Sequence, residues 1–130
     1  MQTQIHTQDE TSTLIAGDKV SGTSVYNTAG EHLGSIHDVM LDKQSGKVAY
    51  AVMSFGGFLG IGEKYHPLPW STLDYETSKG GYVVNLSRAQ LENAPMYGDS
   101  DSPDWNRDYE TRVHDHYKAP YYWGMRGEGI

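Results

Sequence analysis

The stretch that decides the fold is His32–Phe55, which reads HLGSIHDVMLDKQSGKVAYAVMSF. It contains two apolar runs separated by the turn-forming residues DKQSGK. In the first run Leu33 and Ile36 are three residues apart, whereas side chains on one face of a regular strand recur every two residues. Because Val39 and Leu41 restore the two-residue period, we expect a bulge or a bend between Ile36 and Val39.

The second run has no polar face. A strand that is apolar on both sides needs cover on both sides, so one side suits the interior of a small barrel and the other must meet the C-terminal tail or a second subunit. One row of alternating side chains holds Val48, Tyr50 and Val52, and the other holds Ala49, Ala51, Met53 and Phe55. We assign the alanine-containing row to tail docking or oligomer contact, because small side chains permit close approach.

Short strands and turns continue on both sides of this stretch. NTAGE (27–31) and TSKGG (77–81) are turn sequences, and the runs between the turns have the length of strands. SRAQLENAP (87–95) predicts a short helix with Ser87 as its N-cap. The pattern predicts a mainly β fold with strands over residues 14–86, after a flexible segment 1–13.

The glycine-rich sequence GGFLGIGEKYHPLPW (56–70) raises the question of a phosphate-binding loop. It matches neither G-x-x-x-x-G-K-[ST] nor G-x-G-x-x-G, and the prolines that follow it exclude the helix that such a loop requires. We therefore interpret it as a wide turn between two strands. Its apolar residues Phe58, Leu59 and Ile61 are candidates for partner contact, whereas Pro67 and Pro69 indicate an edge strand or the end of a strand.

The tail, residues 98–130, is acidic and aromatic. It has seven acidic and four basic residues and six of the fifteen aromatic residues. SPDWNRDYETRVHDHY predicts a helix over about 103–117, with Ser102 as N-cap and a stripe formed by Trp105, Tyr109 and Val113. We expect these three residues, together with Tyr121, Tyr122 and Trp123, to contact the barrel or a partner.

Composition limits the classes of function. The net charge of −7 disfavours nucleic acid, and no run of about 18 apolar residues predicts a transmembrane segment. The chain has no cysteine, and its first residues show no secretory signal, so we expect a cytoplasmic location. Peripheral association with a membrane stays open.

The ionisable residues predict neither catalysis nor a metal or other cofactor. His114 and His116 are two residues apart, which on a helix directs them about 200° apart, so they do not share one ion. His37 and Asp38 are neighbours on a strand and face opposite ways. We expect Asp38 and Asp42 to accept hydrogen bonds from bulge and turn amides.

The chain resembles the PRC-barrel family, named after the cytoplasmic domain of the photosynthetic reaction-centre H subunit. The resemblance rests on the stretch AGDKVSGTSVYNTAGEHLGSIHDVMLDKQSGKVAYAVMSFGGFLGIGEKYHPLPWSTLDYE and on the trailing SRAQLENAPMY. It implies a small, mostly antiparallel β-barrel of about six strands over residues 14–97, which serves as an assembly module and has the glycines at a strand connection.

Two functional hypotheses remain open. The first is a non-catalytic protein–protein interaction module, a homo-oligomer and most simply a dimer. The alternative is a barrel that binds a small ligand or a metal in a pocket between barrel and tail, with lining residues such as Tyr65, His66, His114 and His116.

Overall fold

The computed structural model of the chain describes residues 10–55, 64–98 and 102–124. Six strands and three helices lie in these ranges, which confirms the mainly β fold. The strands are β1 Ser24–Asn27, β2 His32–Leu41, β3 Val48–Phe55, β4 Lys64–Pro69, β5 Leu73–Glu76 and β6 Gly81–Val84. The helices are α1 Gly17–Val20, α2 Arg88–Glu92 and α3 Arg107–Tyr117, and a 3-10 turn covers Trp70–Thr72.

The strands form one curled sheet in the order β4-β3-β2-β1-β6-β5. Strands β1 and β6 pair in parallel, whereas all other neighbouring pairs are antiparallel. In the described ranges no ladder joins β4 to β5, so the sheet is a half-barrel with two edges rather than a closed cylinder. The parallel pair was not predicted, because turn sequences report only which consecutive strands form hairpins.

The predicted bulge in β2 is confirmed. The register between β2 and β3 shifts between Ile36 and Asp38, with His37 as the extra residue. The carboxylate of Asp38 accepts a hydrogen bond from the Val39 amide at 2.9 Å, as expected for a bulge amide. The bulge returns Val39 to the side of the sheet that carries Ile36, so the apolar row continues past the irregularity.

Strand β3 is buried on both faces, as its sequence predicted. On one face, which we call the core face, Ala51 pairs with Leu68 and Met53 pairs with His66. All four residues have an exposed fraction of 0 %. On the opposite face, Tyr50 lies beneath residues of the tail, so we call it the tail face.

Strand β4 is an edge strand, as Pro67 and Pro69 indicated. A single antiparallel bridge covers part of its free side: the amide of Tyr65 donates to the Tyr97 carbonyl at 2.8 Å, and the amide of Tyr97 donates to the Tyr65 carbonyl at 3.1 Å. Helix α3 also packs against β4. The edge is therefore protected by residues that come later in the chain.

Both predicted helices are present, with different outcomes at their starts. Ser87 caps α2 and forms a capping box with Gln90, as predicted. Helix α3 begins at Arg107, four residues later than expected, with Asn106 rather than Ser102 as its N-cap. None of the helices in the described ranges combines the length and apolar character needed to cross a membrane.

Candidate functional site

A buried polar cluster joins the tail to the sheet, and we call it the Glu110 cluster. The Glu110 carboxylate, on the first turn of α3, has an exposed fraction of only 7 %. Its Oε1 accepts hydrogen bonds from the hydroxyl groups of Tyr50 at 2.9 Å and Tyr122 at 2.5 Å. Its Oε2 lies 3.8 Å from Nε of Arg107. The carboxylate thus links β3, α3 and the segment after α3.

His114 completes the Glu110 cluster one helical turn later. Its Nδ1–H donates to the backbone carbonyl of Glu110 at 2.8 Å, because a carbonyl oxygen only accepts. Its ring packs edge-on against Tyr50, with ring centroids 5.2 Å apart, and has an exposed fraction of 1 %. The cluster is therefore closed off from water beneath the tail.

Burial and hydrogen bonding shift the pKa values of this cluster. Burial, with the added hydrogen bond to Glu110, strongly raises the pKa of Tyr50 and raises that of Tyr122 to about 12. Burial lowers the pKa of His114. Both tyrosines are thus neutral hydrogen-bond donors at pH 7, a state suited to holding the tail rather than to proton transfer.

Glu110 was missed by sequence reasoning. Tyr109, Val113 and Tyr117 form the apolar stripe of α3, and Glu110 and His114 flank it with the same four-residue spacing. That spacing places an acidic and an imidazole group at the border of the buried face. The signal was available in the sequence, but nothing there identified Tyr50 as the partner 60 positions away.

The chain segment after α3 folds back into an aromatic surface. The rings of Tyr121 and Trp123 stack with their planes 5° apart, and the guanidinium carbon of Arg107 lies 4.0 Å from the Trp123 ring centroid. The Tyr121 hydroxyl donates to the carboxylate of Asp115 at 2.7 Å. Tyr122 has an exposed fraction of 41 %. We call Arg107, Tyr121, Tyr122 and Trp123 the terminal aromatic surface.

A cleft of about 450 Å³ opens between the sheet and the beginning of the tail. Aromatic rings follow one another along it: the ring centroids of His37 and Tyr65 are 4.6 Å apart, and those of Tyr65 and Tyr97 are 5.5 Å apart. The centroid of Trp105 lies 6.3 Å from that of Tyr97. The lining residues are His37, Asp38, Met40, Val52, Tyr65, Tyr97, Ser102 and Trp105.

Trp105 has an unusual backbone conformation, with a φ of 58°. A bulky residue in the left-handed region costs about 1–2 kcal/mol, so the surrounding contacts must hold it there. Its ring packs against those of Tyr50 and Tyr109, with centroids 5.3 Å and 5.5 Å away. The chain thus turns at Trp105 into α3 and directs the indole to the wall of the cleft.

His66, on the core face, has a different environment. Neither ring nitrogen has a hydrogen-bond partner among the described residues, although the ring is fully buried. Its ring packs edge-to-face against that of Phe55, with 5.1 Å between centroids. Burial, with a smaller contribution from His116, lowers the pKa of His66 to about 4. The ring is therefore neutral at pH 7.

The residues proposed for partner contact lie in several places. Phe58, Leu59 and Ile61 fall outside the described residues, but the strands that flank them pair antiparallel, from Phe55 opposite Lys64 onward. In the tail, Tyr109 and Val113 are buried in the core cluster, whereas Trp105 is half-buried at the cleft. Tyr121, Tyr122 and Trp123 belong to the terminal aromatic surface.

The four residues of the expected docking row are buried, and Ala49 lines a cavity together with the tail residues His114 and Tyr122. Ala49, Ala51, Met53 and Phe55 are all core-cluster residues. The hydrogen bonds and ring contacts described from the tail to β3 fall on Tyr50, in the other row. Both rows are apolar, so the sequence could not tell which one faces the concave interior. Small side chains suit that crowded side of a tightly curled sheet.

The histidines of the proposed ligand pocket are not grouped together. His66 lies on the core face and His114 in the Glu110 cluster, whereas Nε2–H of His116 donates to the backbone carbonyl of Gln90 at 2.9 Å. Among the described residues, no three His, Asp or Glu side chains are placed to hold a metal ion. Tyr65 lines the cleft at the beginning of the tail, whereas His114 lines a second cavity of about 230 Å³ between the sheet and the segment after α3.

Comparison with known proteins gives matches to the part of the chain that forms the sheet, and the family match ends before α3. The chain is 22 % identical over 76 residues to an uncharacterized protein of Deinococcus radiodurans; the match covers 58 % of this chain and 27 % of that protein. The chain thus spans about a quarter of the length of that relative. A family model described as PRC-barrel domain matches residues 12–91, which include all six strands. The chain belongs to the PRC-barrel domain family.

Proposed function

We propose that this chain is a non-catalytic assembly module of the cytoplasm, which docks through its tail on a second copy of itself or on another protein. The observation that carries the proposal is the terminal aromatic surface. Tyrosine, tryptophan and arginine are the residue types that contribute most at protein interfaces. Here they are stacked on one another outside the region of the family match, with Tyr122 half-exposed.

The internal bonding of the Glu110 cluster supports the non-catalytic part of the proposal. Both hydroxyl groups that reach Glu110 belong to this chain, and the carboxylate is almost completely buried. A group engaged in this way positions the tail, and with it the terminal aromatic surface, relative to the sheet. Fixing an interface in advance lowers the entropic cost of binding.

Sedimentation velocity of the intact chain tests this assembly proposal. We expect a dimer at about 50 µM, and we expect the double variant Tyr121→Ala/Trp123→Ala to be a monomer, because removal of interface anchors typically costs 2 kcal/mol or more. Leu41→Ala is the matched control, since Leu41 is 56 % exposed on β2 and outside the tail.

Co-purification from native cytoplasm extends this test to other proteins. If the intact chain is a monomer, we expect it to retain a stoichiometric partner that the double variant loses and the Leu41→Ala variant keeps. A monomeric intact chain that retains the same proteins as the double variant would disprove the proposal.

The second candidate function is binding of a small ligand, and the cleft beneath Trp105 favours it. Ligand sites are concave, largely apolar and aromatic, with a small number of polar groups. The cleft has this composition, with Asp38 and Ser102 among the lining residues. It lies between sheet and tail, where the alternative hypothesis placed a pocket. A rise in melting temperature with a bound ligand would support this function.

A further inference from the structure

We propose that the cleft between sheet and tail binds an organic cation of the methylated ammonium class. The inference rests on the second candidate function and specifies its ligand. It depends on three observations: a continuous series of aromatic rings, a carboxylate at the same cleft, and apolar side chains between them.

The aromatic rings provide the attraction for a positive charge. Tyr65, Tyr97 and Trp105 line the cleft, and their centroids are 5.5 Å and 6.3 Å apart along the series. The faces of such rings carry negative electrostatic potential and attract cations within about 6 Å. Several rings around one space form the arrangement that recognises quaternary ammonium groups.

The backbone conformation of Trp105 is a separate observation that points to the same place. Its positive φ is unfavourable for a tryptophan and directs the indole to the cleft. Trp105 also lies outside residues 12–91, the extent of the family match. The sheet supplies one wall of the cleft and the tail supplies the other, so the site requires the docked tail.

Asp38 supplies charge complementarity. It is exposed at the bulge of β2, and among the described contacts its Oδ1 accepts from the Val39 amide whereas Oδ2 accepts no hydrogen bond. Burial raises the pKa of the Tyr97 hydroxyl, and the charge of Asp38 adds to that rise. The chain as a whole has a net charge of −7, which also favours a cationic ligand over an anionic one.

The remaining lining residues favour a methylated ammonium group over a metal ion. Ca²⁺ takes six to eight oxygen ligands, and the described residues that line the cleft include one carboxylate. Met40 and Val52 instead offer apolar contact, which suits the methyl groups of a poorly hydrated cation. The volume of about 450 Å³ is sufficient for a trimethylammonium group with a short substituent.

Titration with choline chloride and with 3,3-dimethylbutan-1-ol tests the ligand class. The two molecules have nearly the same shape, but only choline has a charge. We expect amide NMR shifts at the cleft residues with choline, and at least about tenfold weaker binding of the neutral alcohol. Sodium chloride at equal ionic strength controls for the added salt.

Three variants locate the binding within the molecule. Trp105→Leu keeps an apolar side chain and removes the ring, so we expect choline affinity to fall about tenfold or more. Asp38→Asn keeps the acceptor for the Val39 amide and removes the charge, with an expected fall of about threefold to tenfold. Asp74→Asn, at another exposed carboxylate on β5, is the matched control and should bind choline unchanged.

The possible outcomes separate the proposals. Equal binding of choline and the neutral alcohol would overturn the cation assignment and leave a small-ligand site in place. Absence of binding by both up to about 20 mM would overturn the inference together with the second candidate function. Unchanged choline binding by both Trp105→Leu and Asp38→Asn would overturn the location. None of these results affects the assembly proposal, which the sedimentation experiment tests.

Discussion

His66 and Glu110 are both buried polar residues, on opposite sides of the sheet formed by β3 and β4, but their surroundings differ. The ring nitrogens of His66 have no partner among the described residues. Glu110 accepts two hydroxyl hydrogen bonds and lies near a guanidinium group. On the core face, strand pairing and apolar packing already fix the structure. On the tail face, a separate segment must be held in one position.

The contrast between His66 and Glu110 indicates how the position of the tail on the sheet is fixed. Apolar contacts are non-directional, so an aromatic helix has several ways to lie on an apolar strand. A buried carboxylate with defined donors favours one of them, because any other position leaves it unpaired at a high cost. The Glu110 cluster therefore sets the position of the tail, whereas the core face gains no such benefit from His66.

Removal of the whole tail is the strongest test of this contrast. A chain that ends after Tyr97 loses the three buried apolar residues of α3, Tyr109, Val113 and Tyr117. Each such side chain contributes roughly 1.5 to 3 kcal/mol before ordering entropy is subtracted. We expect the free energy of unfolding to fall by about 4 kcal/mol and the melting temperature by at least about 15 °C. Differential scanning calorimetry measures both.

A second truncation serves as the control for this experiment. A chain that ends after Gly124 retains every tail contact described here, so its melting temperature should stay near that of the intact chain. If the chain that ends after Tyr97 also melts at the temperature of the intact chain, the tail does not stabilise the sheet. The role assigned to the Glu110 cluster would then be wrong.

Glu110→Ala tests the polar part of the tail contact alone. The substitution leaves the Tyr50 hydroxyl buried without its acceptor, and a buried donor that loses a charged partner is costly. We expect a loss of about 3 kcal/mol in the free energy of unfolding, measured by urea denaturation at pH 7. The same variant with Tyr50→Phe should recover part of that loss, because the unpaired hydroxyl is gone.

Asp108→Ala is the matched control for Glu110→Ala. Asp108 is an exposed acidic residue in the same first turn of α3, so both substitutions remove a favourable charge near the helix N-terminus. That contribution is about 0.3–1 kcal/mol, and Asp108→Ala should lose no more than this. Equal losses for the two variants would show that burial and the tyrosine partners of Glu110 contribute nothing.

Local features of the barrel were accessible from the sequence. The break in period between Ile36 and Val39 predicted the bulge, and the absence of a polar face in β3 predicted burial on both sides. The capping residue Ser87 was also predicted. Each depends on neighbouring residues and on the two-residue period of a strand, so no knowledge of distant contacts was needed.

Features that depend on distant contacts were not accessible. The parallel pairing of β1 with β6 joins strands about 55 residues apart, and no local pattern reports it. Helix α3 begins late because Trp105 takes a left-handed conformation that its tertiary contacts hold in place. The cleft combines residues of β2 and β4 with residues of the segment before α3, so its composition became visible only in the fold.

The smallest expected effect is the contribution of His66 to the pH dependence of the free energy of unfolding. Its pKa is about 4 in the folded chain and about 6.5 when unfolded, so the unfolded state binds more protons between these values. The contribution of the neutral His66 ring to the free energy of unfolding is therefore complete above about pH 6.5 and is lost as the pH falls towards 4. Between pH 7 and pH 5 the loss amounts to about 2 kcal/mol, measurable by urea denaturation at each pH.

His66→Leu should remove this part of the acid sensitivity. Leucine has no polar atom to leave unpaired, so the variant should be at least as stable as the original chain at pH 7 and lose about 2 kcal/mol less by pH 5. The pH dependence of unfolding that remains in this variant includes a contribution from His114, because burial lowers the pKa of His114 as well. Leu41→Ala, at an exposed residue of β2 without a titratable group, is the control and should keep the original slope. If the free energy of unfolding of His66→Leu falls with pH as steeply as that of the original chain, the His66 ring has a hydrogen-bond partner in solution. His66 on the core face would then be hydrogen-bonded as Glu110 is on the tail face.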